Sequence, residues 1–157
     1  MDKNKSKVIN LGCRLNFFES EVIKNILKQN KIEKKIVINT CAVTNQAVRK
    51  SINEIKQASK KYPNHKIYVT GCASQIEEKS FSNLNNVVKV IDNSKKTQPE
   101  SYLEEKSISN NPPFNFPYSE NFSSNRSRAM LQIQQGCDHR CTFCIIPYGR
   151  GDSKSLP

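Results

Sequence analysis

A chain of 157 residues, 36% hydrophobic and 25% charged, has the length of one ordinary domain and the composition of a soluble globular protein with some loose sequence. No run of eighteen apolar residues occurs, which excludes a membrane-spanning helix, and the first residues carry no apolar signal region, so a cytoplasmic protein is expected. The formal charge of +11 favours a polyanionic partner, although lysines that only solvate helix faces, or a biased genome composition, give the same balance.

In chain order, Lys7-Val-Ile-Asn-Leu11 predicts a first strand, ending in Gly12-Cys13. Phe18, Val22 and Ile26, with Ile23 and Leu27 beside them, form a helical stripe, and Lys24, Lys28 and Lys31 fall on its wet side. Lys35-Ile-Val-Ile-Asn39 predicts a second strand, ending in Thr40-Cys41. Val48, Ile52 and Ile55 place a second helix over residues 45–61, stopped at Tyr62-Pro63-Asn64. Lys66-Ile-Tyr-Val-Thr70 predicts a third strand, ending in Gly71-Cys72 and followed by a short helix around Ser74 to Lys79. Val87-Val-Lys-Val-Ile91 is a fourth, closed by Asp92-Asn93. Strands alternating with helices across short connections predict an α/β fold, an open, mainly parallel sheet with flanking helices.

Three cysteines take on meaning from that frame. Cys13, Cys41 and Cys72 each follow a strand and precede a helix, 28 and 31 residues apart. The carboxyl ends of parallel strands share one edge, where open α/β proteins bind ligands, so the three thiols can meet there. Cysteine is often simply buried, and packing would explain any one of them. Three in the same structural phase point to a shared site. Asn16, Asn45 and Gln75 follow these cysteines by three or four positions and suit hydrogen bonding around such a site, or helix capping in the case of the asparagines.

From Ser94 to Asn125 the chain is rich in Ser, Asn and Pro and predicts little regular structure. The domain organisation is therefore an N-terminal domain over 1–95, a linker over 96–125, and the start of a second domain over 126–157. Phe114, Phe116, Tyr118 and Phe122 in the linker suit stacking on RNA bases, or pinning the linker to a domain surface.

After a strand-like segment, Met130-Leu-Gln-Ile-Gln-Gln135, come Cys137, Cys141 and Cys144 in a C-x3-C-x2-C run. Thiolates are soft ligands suited to iron–sulfur clusters or zinc. A four-iron cluster normally takes four cysteines, so a loop offering three leaves one iron open to a substrate or cosubstrate. Zinc with His139 or a distant fourth ligand is an alternative, as is a redox disulfide at Cys141-Thr-Phe-Cys144. His139 lies inside the loop and reads as exposed. Arg140 and Arg150 suit a phosphate or carboxylate, or a plain surface position. Six cysteines in a reducing compartment are ligands or catalysts more often than disulfides.

The run C-x3-C-x2-C after a strand resembles the signature of radical S-adenosylmethionine enzymes, and Gln134-Gln-Gly-Cys-Asp-His-Arg-Cys-Thr-Phe-Cys-Ile-Ile-Pro-Tyr-Gly-Arg-Gly151 resembles the tRNA methylthiotransferases in particular. Leu11-Gly-Cys-Arg-Leu-Asn16 with Glu19-Ser20, Asn39-Thr-Cys-Ala-Val-Thr-Asn45 and Val69-Thr-Gly-Cys-Ala-Ser-Gln75 look like the N-terminal domain of that family. Their wording is most similar to the branch acting on threonylcarbamoyladenosine, with the isopentenyladenosine branch as competitor. Lys154 stands where the family more often has Arg, which keeps the charge but loses the planar fork.

The resemblance implies two [4Fe–4S] clusters. Cys137, Cys141 and Cys144 would hold one, whose free iron binds S-adenosyl-L-methionine and cleaves it to a 5′-deoxyadenosyl radical. Cys13, Cys41 and Cys72 would hold the other, which carries the sulfur to be inserted. The implied product is a methylthio group on C2 of a modified adenosine beside the anticodon. The implied partners are tRNA and a low-potential electron donor, with the chain acting as a monomer. Residues from 126 would begin a radical S-adenosylmethionine barrel, and a full barrel needs about 250 residues, so the chain resembles an N-terminal fragment expected to be inactive alone. A zinc-stabilised RNA-binding module without catalysis is the alternative from another class.

Overall fold

A computed structural model describes residues 4–103 and 130–156. Four strands, β1 (Lys7–Asn10), β2 (Lys35–Thr40), β3 (Lys66–Gly71) and β4 (Val87–Val90), form one sheet in the order β1-β2-β3-β4, every pair parallel. The expected α/β fold with a parallel sheet is what forms. All six residues of β2 are buried, because it lies inside the sheet and is covered on both faces.

Alternation along the strands sorts the core into two layers. On one face, Phe18, Val22, Ile23, Ile26 and Leu27 of α1 (Arg14–Gln29) pack with Val37 and Tyr68. On the other, Ile55 and Ala58 of α2 (Asn45–Lys61) pack with Ile36, Ile38, Ile67 and Val69. Each fully buried aliphatic side chain here contributes roughly 1.5–3 kcal/mol. Since β1, β2 and β3 are added in one direction while α1 and α2 lie on opposite faces, the two crossovers have opposite hands, and one is of the uncommon left-handed class.

Local chemistry sets the helix ends. Thr44 caps α2 by accepting from the Ala47 amide at 3.1 Å, so the cap is Thr44 and not the neighbouring Asn45. The short helix after β3 starts at Cys72 itself, two residues earlier than expected. It runs as α3 (Cys72–Ile76) and breaks at Glu77 before α4 (Glu78–Ser82). Gly71 makes the sharp entry to α3 with φ of 103°, a conformation open to glycine.

Residues 94–103, expected to carry little regular structure, fold tightly over the α1 face of the sheet, with a 3-10 turn at Pro99–Tyr102. Lys96 and Tyr102 are fully buried there. The Tyr102 hydroxyl donates to the Lys96 carbonyl at 2.5 Å, and Lys35 Nζ donates to the Tyr102 carbonyl at 2.5 Å. Polar composition misleads because the segment's order comes from distant partners. The linker aromatics Phe114, Phe116, Tyr118 and Phe122 lie outside the described residues.

Of the strand expected at Met130–Gln135, only β5 (Gln134–Gln135) is regular. It pairs antiparallel with β6 (Lys154–Ser155) in a ribbon separate from the main sheet. Between them lies α5 (Ile146–Arg150), a short helix that the sequence reading did not anticipate.

Candidate functional site

The parallel register aligns the three N-terminal cysteines. Thr40 pairs with Gly71, so one step further Cys41 and Cys72 are level. Asn10 pairs with Asn39, which by the same continuation sets Cys13 one residue beyond them. All three occupy the carboxyl edge of the sheet: Cys13 at the N-cap of α1, Cys41 directly after β2, Cys72 opening α3. Cys13 is exposed, Cys41 buried and Cys72 half-buried, and all are free thiols. Among the described residues, no three His, Cys, Asp or Glu side chains are gathered into a group able to hold a metal ion. The donor chemistry and the shared edge fit an iron–sulfur cluster; the side chains stand apart on that edge.

A dense polar lattice braces the edge from beneath. Asn16, fully buried, donates to the Thr40 carbonyl at 2.8 Å, and Asn39 donates to the Asn16 carbonyl at 2.9 Å and to Ser20 Oγ at 3.1 Å. Thr40 Oγ1 donates to the Thr70 carbonyl at 2.7 Å and accepts from the Ser74 amide at 3.1 Å. Gln75 accepts the Asn93 amide at 2.9 Å. Asn16 and Gln75 therefore brace the loops carrying the cysteines, whereas Asn45 is exposed at the start of α2.

The second cysteine loop is organised by its own residues. Gly136, with φ of 79°, turns the chain out of β5, and the Cys137 amide donates to the Gly151 carbonyl at 3.1 Å. Arg140 donates to the Cys137 carbonyl at 2.8 Å and pairs with Asp152 at 2.5 Å, which gives this exposed arginine a structural partner. The Ser153 amide donates to Asp138 at 2.7 Å, and the Cys144 amide to the Cys141 carbonyl at 3.0 Å. Cys137 and Cys144 are half-buried, and Cys141 and His139 are exposed.

The two cysteine sets are joined by α5. Arg150, read from sequence as suited to a phosphate or carboxylate, or to a plain surface position, has a side chain only 4% exposed. Its guanidinium forks onto Glu19, Nη1 to Oε1 at 2.6 Å and Nη2 to Oε2 at 3.0 Å, and also donates to Asn16 Oδ1. Lys96 Nζ approaches the other side of the carboxylate, 2.6 Å from Oε2. Burial pushes the Glu19 carboxyl up, but Lys96 and Arg150 outweigh it and hold the group below its ordinary range. Burial pulls the Lys96 ammonium down, opposed by Glu19 and assisted by Arg150. For Arg150, burial disfavours the charge, yet Glu19 and the Cys72 side chain raise the guanidinium further above its already high value.

Next to this cluster, Asn93 Nδ2 donates to the Gly149 carbonyl and lies 3.9 Å from Cys72 Sγ. A Cβ placed on Gly149 would stand 3.0 Å from Cys72 Cβ and 3.5 Å from its sulfur. Sequence reasoning missed Glu19, Asn93 and Lys96 as site residues. One signal was present: Glu19 lies four residues before Ile23 on the buried side of α1, a charged residue in an apolar stripe.

Comparison with known proteins places this edge in context. The model of the uncharacterised protein family UPF0004 matches residues 5–92. A threonylcarbamoyladenosine tRNA methylthiotransferase MtaB of Rickettsia prowazekii is 39% identical over 98% of this chain and 38% of its own length. A ribosomal protein uS12 methylthiotransferase RimO of Acetivibrio thermocellus is 32% identical over 98% of the chain and 40% of its own length. A tRNA-2-methylthio-N(6)-dimethylallyladenosine synthase of Buchnera aphidicola is 30% identical over 100% and 40%. The chain thus spans about two fifths of the length of these curated relatives. No helix among the described residues is long and apolar enough to cross a membrane. With the match covering all four strands and the three cysteines at their ends, this chain belongs to the UPF0004 family, and its relatives are methylthiotransferases.

Proposed function

We propose that this chain forms the N-terminal domain and the first cluster loop of a tRNA methylthiotransferase acting on N6-threonylcarbamoyladenosine. The observation that carries the reading is the 39% identity to the Rickettsia enzyme across 98% of the chain, a span that takes in both cysteine sets. Cys13, Cys41 and Cys72 would hold one [4Fe–4S] cluster. Cys137, Cys141 and Cys144 would hold the other, with its open iron position taken by S-adenosyl-L-methionine, and residues 126–157 would begin the radical S-adenosylmethionine domain. When bound, these groups supply the one-electron, methyl and sulfur chemistry that an unactivated C–H bond demands and no side chain offers.

The chain's own residues position and insulate. Arg150 places a fixed positive charge at Cys72, and Asn93 turns a donor toward the same sulfur. Glu19 and Lys96 are buried, so the charge balance behind the edge is set by protein and not by water. A second reading, in which the substrate is a dimethylallyl-type adenosine, is favoured by the Buchnera relative matching the full chain at 30%. The nucleoside that acquires the methylthio group distinguishes the two.

Anaerobic reconstitution of the chain with iron and sulfide tests the cluster assignment. About eight irons per chain are expected, four per cluster, with half lost on changing Cys13, Cys41 and Cys72 to Ala and half on changing Cys137, Cys141 and Cys144. Zinc bound without acid-labile sulfide would overturn the reading in favour of a zinc-stabilised module.

A further inference from the structure

We propose that Arg150 is a positioning residue: its buried bidentate pair with Glu19 latches α5, and with it the second cysteine loop, onto the sheet edge at Cys72. This deepens the reading above, because the purpose of the latch is to hold the two cysteine sets in register.

Four contacts, two through Arg150 and two through Gly149, converge on the same five-residue helix. Arg150 reaches 131 residues back in sequence to fork onto Glu19, at 2.6 and 3.0 Å. Its Nη2 also donates to Asn16, the residue that ties α1 to the end of β2. The Gly149 carbonyl accepts from Asn93 at the end of the fourth strand's loop. The Gly149 backbone packs directly on Cys72, where a side chain would leave only 3.0 Å between Cβ atoms. Ile146–Arg150 begins two residues after Cys144, so whatever fixes the helix also fixes the end of the cysteine loop.

A helix this short has no stability of its own. Beyond its first turn, its order must come from what it touches. Glu19 is prepared to receive it: Lys96 already sits on one carboxylate oxygen at 2.6 Å, which keeps the acid charged when buried. The planar guanidinium can engage both oxygens together, which a lysine at this position cannot do. The fork therefore specifies orientation as well as attraction.

The test uses the full chain without metal, so its failure is separable from failure of the cluster assignment. R150M removes the latch but leaves the Glu19–Lys96 pair intact, and the sheet should fold. Hydrogen exchange by mass spectrometry, together with the alkylation rate of Cys72 by iodoacetamide, reads the outcome. Expected for R150M are at least tenfold faster exchange over residues 146–151, Cys72 alkylation rising to the rate of exposed Cys13, and unchanged protection in α1 and β2. R150K, which keeps charge without the fork, should recover part of the protection. Wild-type exchange and alkylation in R150M would overturn the proposal. So would a loss of protection spread equally over α1 and β2, because Arg150 would then be a general stabilising residue and not a latch.

Discussion

Glu19 shows how one side chain can be costly alone and stabilising in company. Taking a carboxylate out of water costs several kcal/mol, which is recovered only when close, well-aligned cations replace the solvent. Lys96 and Arg150 do so here at 2.6 Å each. The folded carboxyl is held below its ordinary value of 4.5, so the unfolded state takes up the proton first as the medium is acidified. Its contribution is therefore complete above that value and lost as pH falls through the depressed one. Denaturant unfolding of the wild type at pH 7 and at pH 3.5 should show a drop in stability that E19Q largely lacks. At pH 7, E19Q should be less stable by about 3–5 kcal/mol, since Lys96 is left buried without its counter-charge. Gly71 tests backbone geometry at the same scale. Its φ is 103°, and an added Cβ would overlap the Thr40 carbonyl oxygen and lie 2.7 Å from Asn39 Oδ1. G71A is expected to cost about 2 kcal/mol or more, read as a fall in melting temperature.

Among the elements, those legible in the sequence are those whose partners are near in sequence or whose pattern is strong. The four strands are short apolar runs closed by Gly, Cys or Asp, and α2 appears over Asn45–Lys61 because its apolar spacing, and the proline after it, are unambiguous. The cysteine edge was legible for the same reason: parallel strands in register deliver their carboxyl ends to one line. The segment 94–103 and α5 were illegible. Lys96 and Tyr102 are ordered by Glu19 and Lys35, and α5, five residues long with Gly149 inside it, is too short to show a helical periodicity. The contact between α5 and α3 offers a test confined to this level. G149A improves helix propensity by about 1 kcal/mol but brings a methyl group to 3.0 Å from Cys72 Cβ. If packing governs, G149A loosens α5 from α3 and exposes Cys72 to alkylation despite the better propensity. T44A, by contrast, should lower stability by about 1 kcal/mol through the lost cap and leave Cys72 untouched.

At the scale of the whole molecule, the buried ion cluster and the outer charge do different work. Inside, Glu19 meets two cations, Lys96 and Arg150, at hydrogen-bonding distance. Outside, Lys28, Lys31, Arg49, Lys50, Lys56, Lys60 and Lys61 are exposed on or beside α1 and α2, and they contribute to a net charge of +11. The tRNA partner proposed above gives that excess a measurable meaning. Lysines that only solvate helix faces gain nothing from a polyanion beyond weak, screened attraction, whereas lysines that neutralise phosphates release counterions, and the affinity then falls as a power of the salt concentration. Neutralising two or more phosphates predicts that affinity for tRNA drops about tenfold or more between 50 and 200 mM salt. A filter-binding or anisotropy titration of the chain against tRNA at several salt concentrations measures the slope directly. A flat line would mean that the basic surface is solvation alone, and that RNA recognition belongs to parts of the relatives' length that this chain does not span. A steep line that persists in R150M would place the RNA contact on the outer surface, independent of the latch that holds the cysteine loops together.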